Sequence, residues 1–235
     1  MIVTNKFVFI HMFRTGGTSI NSFFDGKMVG YHRPRSLIPK QYKHLPVVGN
    51  VRNPYDWYVD IYYHALNFNY PMKTPTFLNF VLDFKRYSFK ESIKRLIDTS
   101  WMTSVDKEKS LSHFPRDYNW NKTLIDNIRK VDFEDYLNSK IGFFSWLFNY
   151  MYKDKGTTGS MTYCRLEHLK RDWSLFLKNK VADNFFPKLN SMYGVNSIIG
   201  KVREPRSKNH AKYYDDELIK LIQEKDKAYL DSFCS

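Results

Sequence analysis

The spacing of apolar positions changes from continuous to helical three times along the chain, each time across a short polar turn. From Lys6 to His11 the sequence Lys-Phe-Val-Phe-Ile-His is an apolar run rich in β-formers, with the length of a buried strand. The turn Met12-Phe13-Arg14-Thr15-Gly16-Gly17-Thr18-Ser19 follows, and then Ile20, Phe23 and Phe24 fall at i, i+3 and i+4, which predicts a helix. Pro46 to Val51 predicts a second buried strand, ending in Arg52-Asn53-Pro54. Asn53 suits a helix N-cap and Pro54 the first helical position, and Tyr55, Tyr58, Val59, Tyr62, Ala65 and Leu66 give the next helix one apolar face. Met161 to Leu166 predicts a third strand, with a helix over Glu167 to Lys180. Gly30 to Arg35 reads as a loop and Pro39 to Lys43 as a helical turn.

The middle is less regular. Pro71 and Pro75 interrupt it, Thr76 to Arg86 and Phe89 to Thr99 have helical spacing, and Ser104 to Lys130 is polar and mixed. Ile141 to Tyr152 is apolar over twelve residues, too short to span a bilayer and suited to a buried helix. Gly156 to Ser160 is a turn cluster, and residues 187–213 form a basic loop region. Asp215, Asp216 and Glu217 place negative charge at the start of a last helix carrying Leu218, Leu221, Ile222 and Tyr229. Strands alternating with helices predict an α/β fold with a central parallel sheet. With no repeat and no long linker, residues 1–235 read as a single domain in which 70–160 is a mostly helical addition.

Composition narrows the partners. The net charge of +13 favours an anionic ligand, but the basic residues are dispersed, which argues against a nucleic-acid-binding tail. The aromatic share of 17% is high, and most of those rings are assigned to the core. Cys164 and Cys234 form neither a disulfide framework nor zinc spacing, which fits a reduced, cytoplasmic setting. The N-terminal stretch lacks the pattern of a signal peptide, and no membrane span is expected.

The first turn is an anion cradle by its chemistry. Glycines at a helix start let an anion approach backbone N–H groups; Arg14 adds positive charge, and Thr15, Thr18 and Ser19 add hydroxyl donors. The order Arg-Thr-Gly-Gly-Thr-Ser is not a Walker A motif, and no Gly-x-Gly-x-x-Gly occurs. The second turn places Arg52 at the carboxyl end of a strand, where open α/β sheets bind ligands. Two phosphate-sized sites on neighbouring strands suit a nucleotide with phosphates at both ends of its ribose.

Phe9 to Ile20 resembles the 5′-phosphosulfate loop of the Golgi-type carbohydrate sulfotransferases and their microbial relatives. Val51-Arg52-Asn53-Pro54-Tyr55-Asp56-Trp57-Tyr58-Val59 resembles that family's 3′-phosphate motif. Arg165 to Leu169 is similar to its late strand–helix junction, and Tyr213 to Leu218, through Tyr229 and Phe233, to its closing helix. About residues 70–160 match nothing in the family and are assigned to the acceptor side. The resemblance implies a P-loop-like three-layer fold and 3′-phosphoadenosine-5′-phosphosulfate as co-substrate. It also implies a hydroxyl acceptor on a carbohydrate and a reaction that needs no metal. The residues it assigns to the donor are Arg14, Thr15, Gly16, Gly17, Thr18, Ser19 and Arg52.

Two positions depart from the family pattern. Arg14 stands where the family carries Lys, and its fixed charge supports electrostatic stabilisation of the leaving phosphate rather than proton donation. Asp60 stands where the family carries a Ser that helps hold the 3′-phosphate; a carboxylate there opposes the phosphate unless a cation offsets it, and Arg203, Arg206 and Lys208 are candidates to do so. His32 is the candidate base, since some family members use a His of a Gly-His pair in this region, here with Tyr31 between Gly30 and His32; a Glu or Asp of the unmatched middle is the alternative. His11, within the first strand, is assigned to packing. Two other readings of the same residues are a phosphate-handling enzyme such as a small-molecule kinase, and a non-catalytic nucleotide-binding protein.

Overall fold

The structure, a computed structural model, describes residues 1–17, 20, 27–28, 32–67, 86–112, 114, 116, 128–153, 159–181 and 210–233. Its strands are β1 (Ile2–Val3), β2 (Val8–His11), β3 (Lys27–Met28), β4 (Val47–Val51) and β5 (Met161–Arg165). Its helices are α1 (Pro54–Asn67), α2 (Phe89–Ile97), α3 (Ser104–Leu111), α4 (Lys130–Asn138), α5 (Phe143–Tyr152), α6 (Leu169–Phe176), α7 (Asp216–Lys225) and α8 (Lys227–Phe233). The chain is α/β, and it divides into two compact units, Met1–Arg52 with Met151–Arg206 and Asn53–Tyr150 with Ser207–Ser235.

The first unit is built on a sheet of order β3-β1-β2-β4-β5. Its three longest strands, β2, β4 and β5, run parallel, with Val8 opposite Val47, His11 opposite Asn50, and Val51 opposite Arg165. The expectation of a parallel sheet holds for these three. The sheet as a whole is mixed, because β1 pairs antiparallel with both β2 and β3. Two-residue strands carry too little hydrophobic periodicity to be read from sequence. The parallel register sets the carboxyl ends of β2, β4 and β5 side by side, so the segments after His11, Val51 and Arg165 emerge at one edge. One face of the sheet buries Phe7, Phe9, Val48 and Cys164 with Leu169, Trp173 and Phe176 of α6. Trp173 and Phe176 meet Phe7 edge-on, with ring centroids 6.2 and 5.5 Å away.

The second unit is helical among its described residues. Helix starts are capped as local chemistry dictates: Ser88 and Glu91 form a capping box on α2, Thr103 and Asp106 another on α3, and Asp215 accepts from the Leu218 N–H on α7. On α1 the Asn53 side chain accepts from the Tyr55 N–H at 2.9 Å, as its place before Pro54 predicts. Trp57, Tyr58, Val59, Asp60 and Ile61 are all buried, so this stretch of α1 is covered on more than the single face its apolar spacing predicts. The polar segment after Ser104 begins with a regular helix, α3, and the predicted last helix is two helices broken at Asp226. The predicted helix over Thr76 to Arg86, apart from Arg86, and most of the basic loop 187–213 lie outside the described residues. Among the described residues no helix is long and apolar enough to cross a membrane.

Candidate functional site

Loop 12–17, which leaves the carboxyl end of β2, has backbone of alternating hand. Arg14 has φ +63° and Gly16 φ +79°, both left-handed, and Gly17 is already helical. Left-handed backbone is ordinary for Gly16 but costs Arg14 on the order of 1–2 kcal/mol, so the surrounding contacts must hold it there. Gly17 has no room for a side chain, since a Cβ would lie 2.0 Å from Cδ2 of the His11 ring. At Gly16 a Cβ would lie 2.7 Å from Leu166 Cδ1, which brings the residue after β5 against the loop.

Side chains from neighbouring elements fasten this loop. Arg52, 8% exposed at the end of β4, donates from Nη1 to the Arg14 carbonyl at 3.2 Å. The sequence-predicted pair is therefore brought together, through the backbone of one residue and the guanidinium of the other. Thr15 is fully buried and its hydroxyl donates to the Met12 carbonyl at 2.7 Å, so it closes the turn. Asn50 donates from Nδ2 to the Thr15 carbonyl at 3.2 Å, and its Oδ1 accepts from Trp173 Nε1 at 2.9 Å. The Tyr152 hydroxyl accepts from the Met12 N–H at 2.9 Å and donates to the Asn50 carbonyl.

His32 reaches the same strand end. Its Nδ1 is 3.2 Å from the His11 carbonyl. A carbonyl can only accept, so Nδ1 carries the proton and the lone pair is on Nε2. The His32 ring packs edge-on against His11 and Phe13, with centroids 4.6 and 5.6 Å away. Burial lowers the pKa of His32 to about 4, against the His11 hydrogen bond, which acts to raise it. Burial, followed by the nearby His32 ring, holds His11 well below the ordinary imidazole range. Both imidazoles are therefore neutral at pH 7. His32 has φ +46°, a second strained residue beside the loop.

Thr18, Ser19 and Arg206 lie outside the described residues, as do Gly30 and Tyr31. Asp60 is buried on α1 in the second unit, at 9% exposure. Among the described residues no group of three or more His, Cys, Asp or Glu side chains is gathered to hold a metal ion.

Asn50, Tyr152 and Trp173 were not singled out from the sequence. Asn50 carried a signal, because a polar side chain inside the apolar run Val-Val-Gly-Asn-Val must find buried partners. Tyr152, one more ring at the end of an aromatic helix, carried none.

Compared with protein-family models, with curated proteins and with solved structures, the chain matches none.

Proposed function

We propose that the protein is a sulfotransferase, which moves a sulfuryl group from 3′-phosphoadenosine-5′-phosphosulfate to an acceptor hydroxyl on a carbohydrate. The observation that carries this reading is the Arg52–Arg14 contact, which joins the end of β4 to a left-handed arginine in the glycine loop after β2. Two cationic side chains at neighbouring parallel strand ends suit a donor with phosphates at the 3′ and 5′ positions of one ribose. The motif resemblance to the Golgi-type carbohydrate sulfotransferases adds the sulfate and the carbohydrate. A P-loop-like three-layer fold belongs to the same proposal, supported by the parallel core of β2, β4 and β5, with β1 and β3 as additions. So does a cytoplasmic setting.

In this reading the 5′-phosphosulfate lies on the N–H groups of residues 15–19, with the hydroxyls of Thr18 and Ser19 beside them. The acceptor oxygen attacks sulfur in line. The new O–S bond forms as the bond from sulfur to its bridging oxygen breaks, and the electron pair stays on the 5′-phosphate of adenosine 3′,5′-bisphosphate. The Arg14 guanidinium offsets charge gathering on the bridging oxygen. Arg52 holds the 3′-phosphate, with Arg206 adding charge. The acceptor proton passes to Nε2 of His32, which carries the lone pair and is oriented by the Nδ1 bond to the His11 carbonyl.

The test is titration of the full chain with adenosine 3′,5′-bisphosphate, followed by transfer of labelled sulfate from the donor to a panel of oligosaccharides. Micromolar binding with Arg14-dependent transfer is expected, and absence of binding would overturn the reading. A magnesium requirement would favour a kinase instead.

A further inference from the structure

Loop 12–17 is fastened largely through its backbone carbonyls. Three of its carbonyls are taken up within the protein: Met12 by the Thr15 hydroxyl, Arg14 by Arg52 and Thr15 by Asn50. Left-handed backbone at Arg14 and Gly16 alternates with the residues between and after them. In such a run successive N–H groups turn toward a common point and form an anion nest, and because each peptide is planar, fixing a carbonyl fixes the direction of the N–H that follows it. Some of that holding comes from residues outside the loop that have no part in the proposed reaction.

Asn50 is 0% exposed and lies opposite His11 in the register of β4 with β2. The indole N–H of Trp173 fixes which way its amide points, since it occupies Oδ1 and leaves Nδ2 for the Thr15 carbonyl. The Tyr152 hydroxyl bridges the loop's first N–H and the carbonyl of Asn50 itself, tying Met12 to the end of β4. Gly49 provides the room, because a Cβ there would sit 2.5 Å from the Tyr152 ring. Burial raises the Tyr152 phenol, so it stays protonated and able to donate.

We infer that Asn50 and Tyr152 are positioning residues: Asn50 ties the Thr15 carbonyl, and Tyr152 the Met12 N–H, to the end of β4, and together they hold loop 12–17 so that the N–H groups of residues 15–17 face the 5′-phosphate of the donor. The inference rests on the reading of this loop as a donor site.

Tyr152→Phe and Asn50→Asp test it in the full chain, at a temperature well below Tm. Tyr152→Phe removes the tether and keeps the ring. Asn50→Asp keeps the acceptor for Trp173 but puts a lone pair where the donor to Thr15 stood. Both are titrated with adenosine 3′,5′-bisphosphate, and amide hydrogen exchange is followed in the ligand-free proteins. The Kd is expected to rise about tenfold or more, which is the loss of one well-placed buried hydrogen bond. Amides of residues 12–17 are expected to exchange about tenfold faster while Val48 in β4 keeps its wild-type rate. A Kd within about twofold of wild type, with loop and strand amides accelerated alike, overturns the inference and marks both residues as structural only. If the wild-type chain does not bind the bisphosphate, the donor reading fails, and the exchange pattern alone decides whether these residues hold the loop. Trp173→Phe, which keeps ring packing and removes the donor to Asn50, covers the case of a variant that does not fold. The same local acceleration, smaller in size, is expected from it, and uniform acceleration counts against the inference.

Discussion

A buried tyrosine hydroxyl sits at a junction in each unit, and the two junctions differ in what they hold. In the first unit, Tyr152 holds backbone groups of a strained loop and a strand end. In the second, Tyr58 donates to the carboxylate of Asp226 at 2.8 Å and accepts from the Phe144 N–H at 3.1 Å. Asp226 is 0% exposed, accepts also from the Ser145 N–H at 2.9 Å, and marks the break between α7 and α8. Removing a partner from the second junction leaves a buried carboxylate or the groups that served it. Loosening the first releases a left-handed loop toward its relaxed backbone while the sheet and its aromatic core remain. Strain and the fastening of a loop therefore gather where the reaction is proposed, and locally satisfied, regular helices gather in the other unit.

The sharpest way to break that comparison is Arg14→Ala. Transfer is expected to fall by about 10²–10³-fold or more through loss of charge stabilisation at the bridging oxygen, with Tm nearly unchanged, whereas Arg14→Lys keeps most of the activity. Equal transfer by wild type and Arg14→Ala removes Arg14 from the chemistry. The converse is Asp226→Ala, which leaves the Tyr58 hydroxyl and the Ser145 N–H without their buried acceptor. A loss of about 3–5 kcal/mol in denaturant unfolding is expected, with binding of adenosine 3′,5′-bisphosphate intact in the folded fraction. A loss of affinity without a loss of stability would reverse the roles assigned to the two units.

The same contrast explains what was legible in the sequence. Strands β2, β4 and β5 were readable because long apolar runs ended in turn residues, and Asn53 and Asp215 announce helix starts by local hydrogen bonding. The candidate site was legible where backbone freedom and charge meet, at Arg14, Gly16, Gly17 and Arg52. Its fastening was not, because Tyr152 and Trp173 lie 140 and 123 residues from the groups they bind, Met12 and Asn50, and nothing local encodes such pairs. The break at Asp226 was hidden for a related reason. Its carboxylate is satisfied by Tyr58 and Ser145, far along the chain, and the apolar spacing on either side of it reads as one helix.

A smaller effect, on pH dependence, sharpens the comparison from the side of His32. Its folded pKa, about 4, lies below the unfolded value of 6.5, so between those values the unfolded chain binds a proton that the folded chain does not. The stability it contributes is complete above pH 6.5 and is lost as pH falls toward 4, on the order of 3 kcal/mol for a shift of this size. His32→Asn is the control, because Asn tolerates the left-handed backbone at φ +46° and does not titrate. Unfolding free energies measured at half-unit intervals should show the wild-type advantage shrinking through that window. Parallel curves for the two proteins would mean that the fold does not hold His32 in its neutral form.

The smallest expected effect lies on the surface of the second unit. Lys90 pairs with Asp215 and Glu217, both at 2.6 Å, and Lys94 pairs with Glu217 as well, so α2 and the start of α7 carry an ion-pair cluster. The cluster looks strong by distance, but its side chains are between 34% and 59% exposed, so water and salt screen it. Asp215 differs from Glu217 in one respect, since it also caps α7 through the Leu218 N–H at 3.0 Å. Glu217→Gln should therefore change Tm only slightly, and not at all in about 1 M salt, where the Debye length is roughly 3 Å. Asp215→Ala should cost about 1 kcal/mol, typical for a lost N-cap, and that cost should survive the salt. If both losses vanish in salt, the cap contributes nothing beyond its charge, and the regular helices of the second unit depend on long-range electrostatics rather than on local hydrogen bonding at their ends.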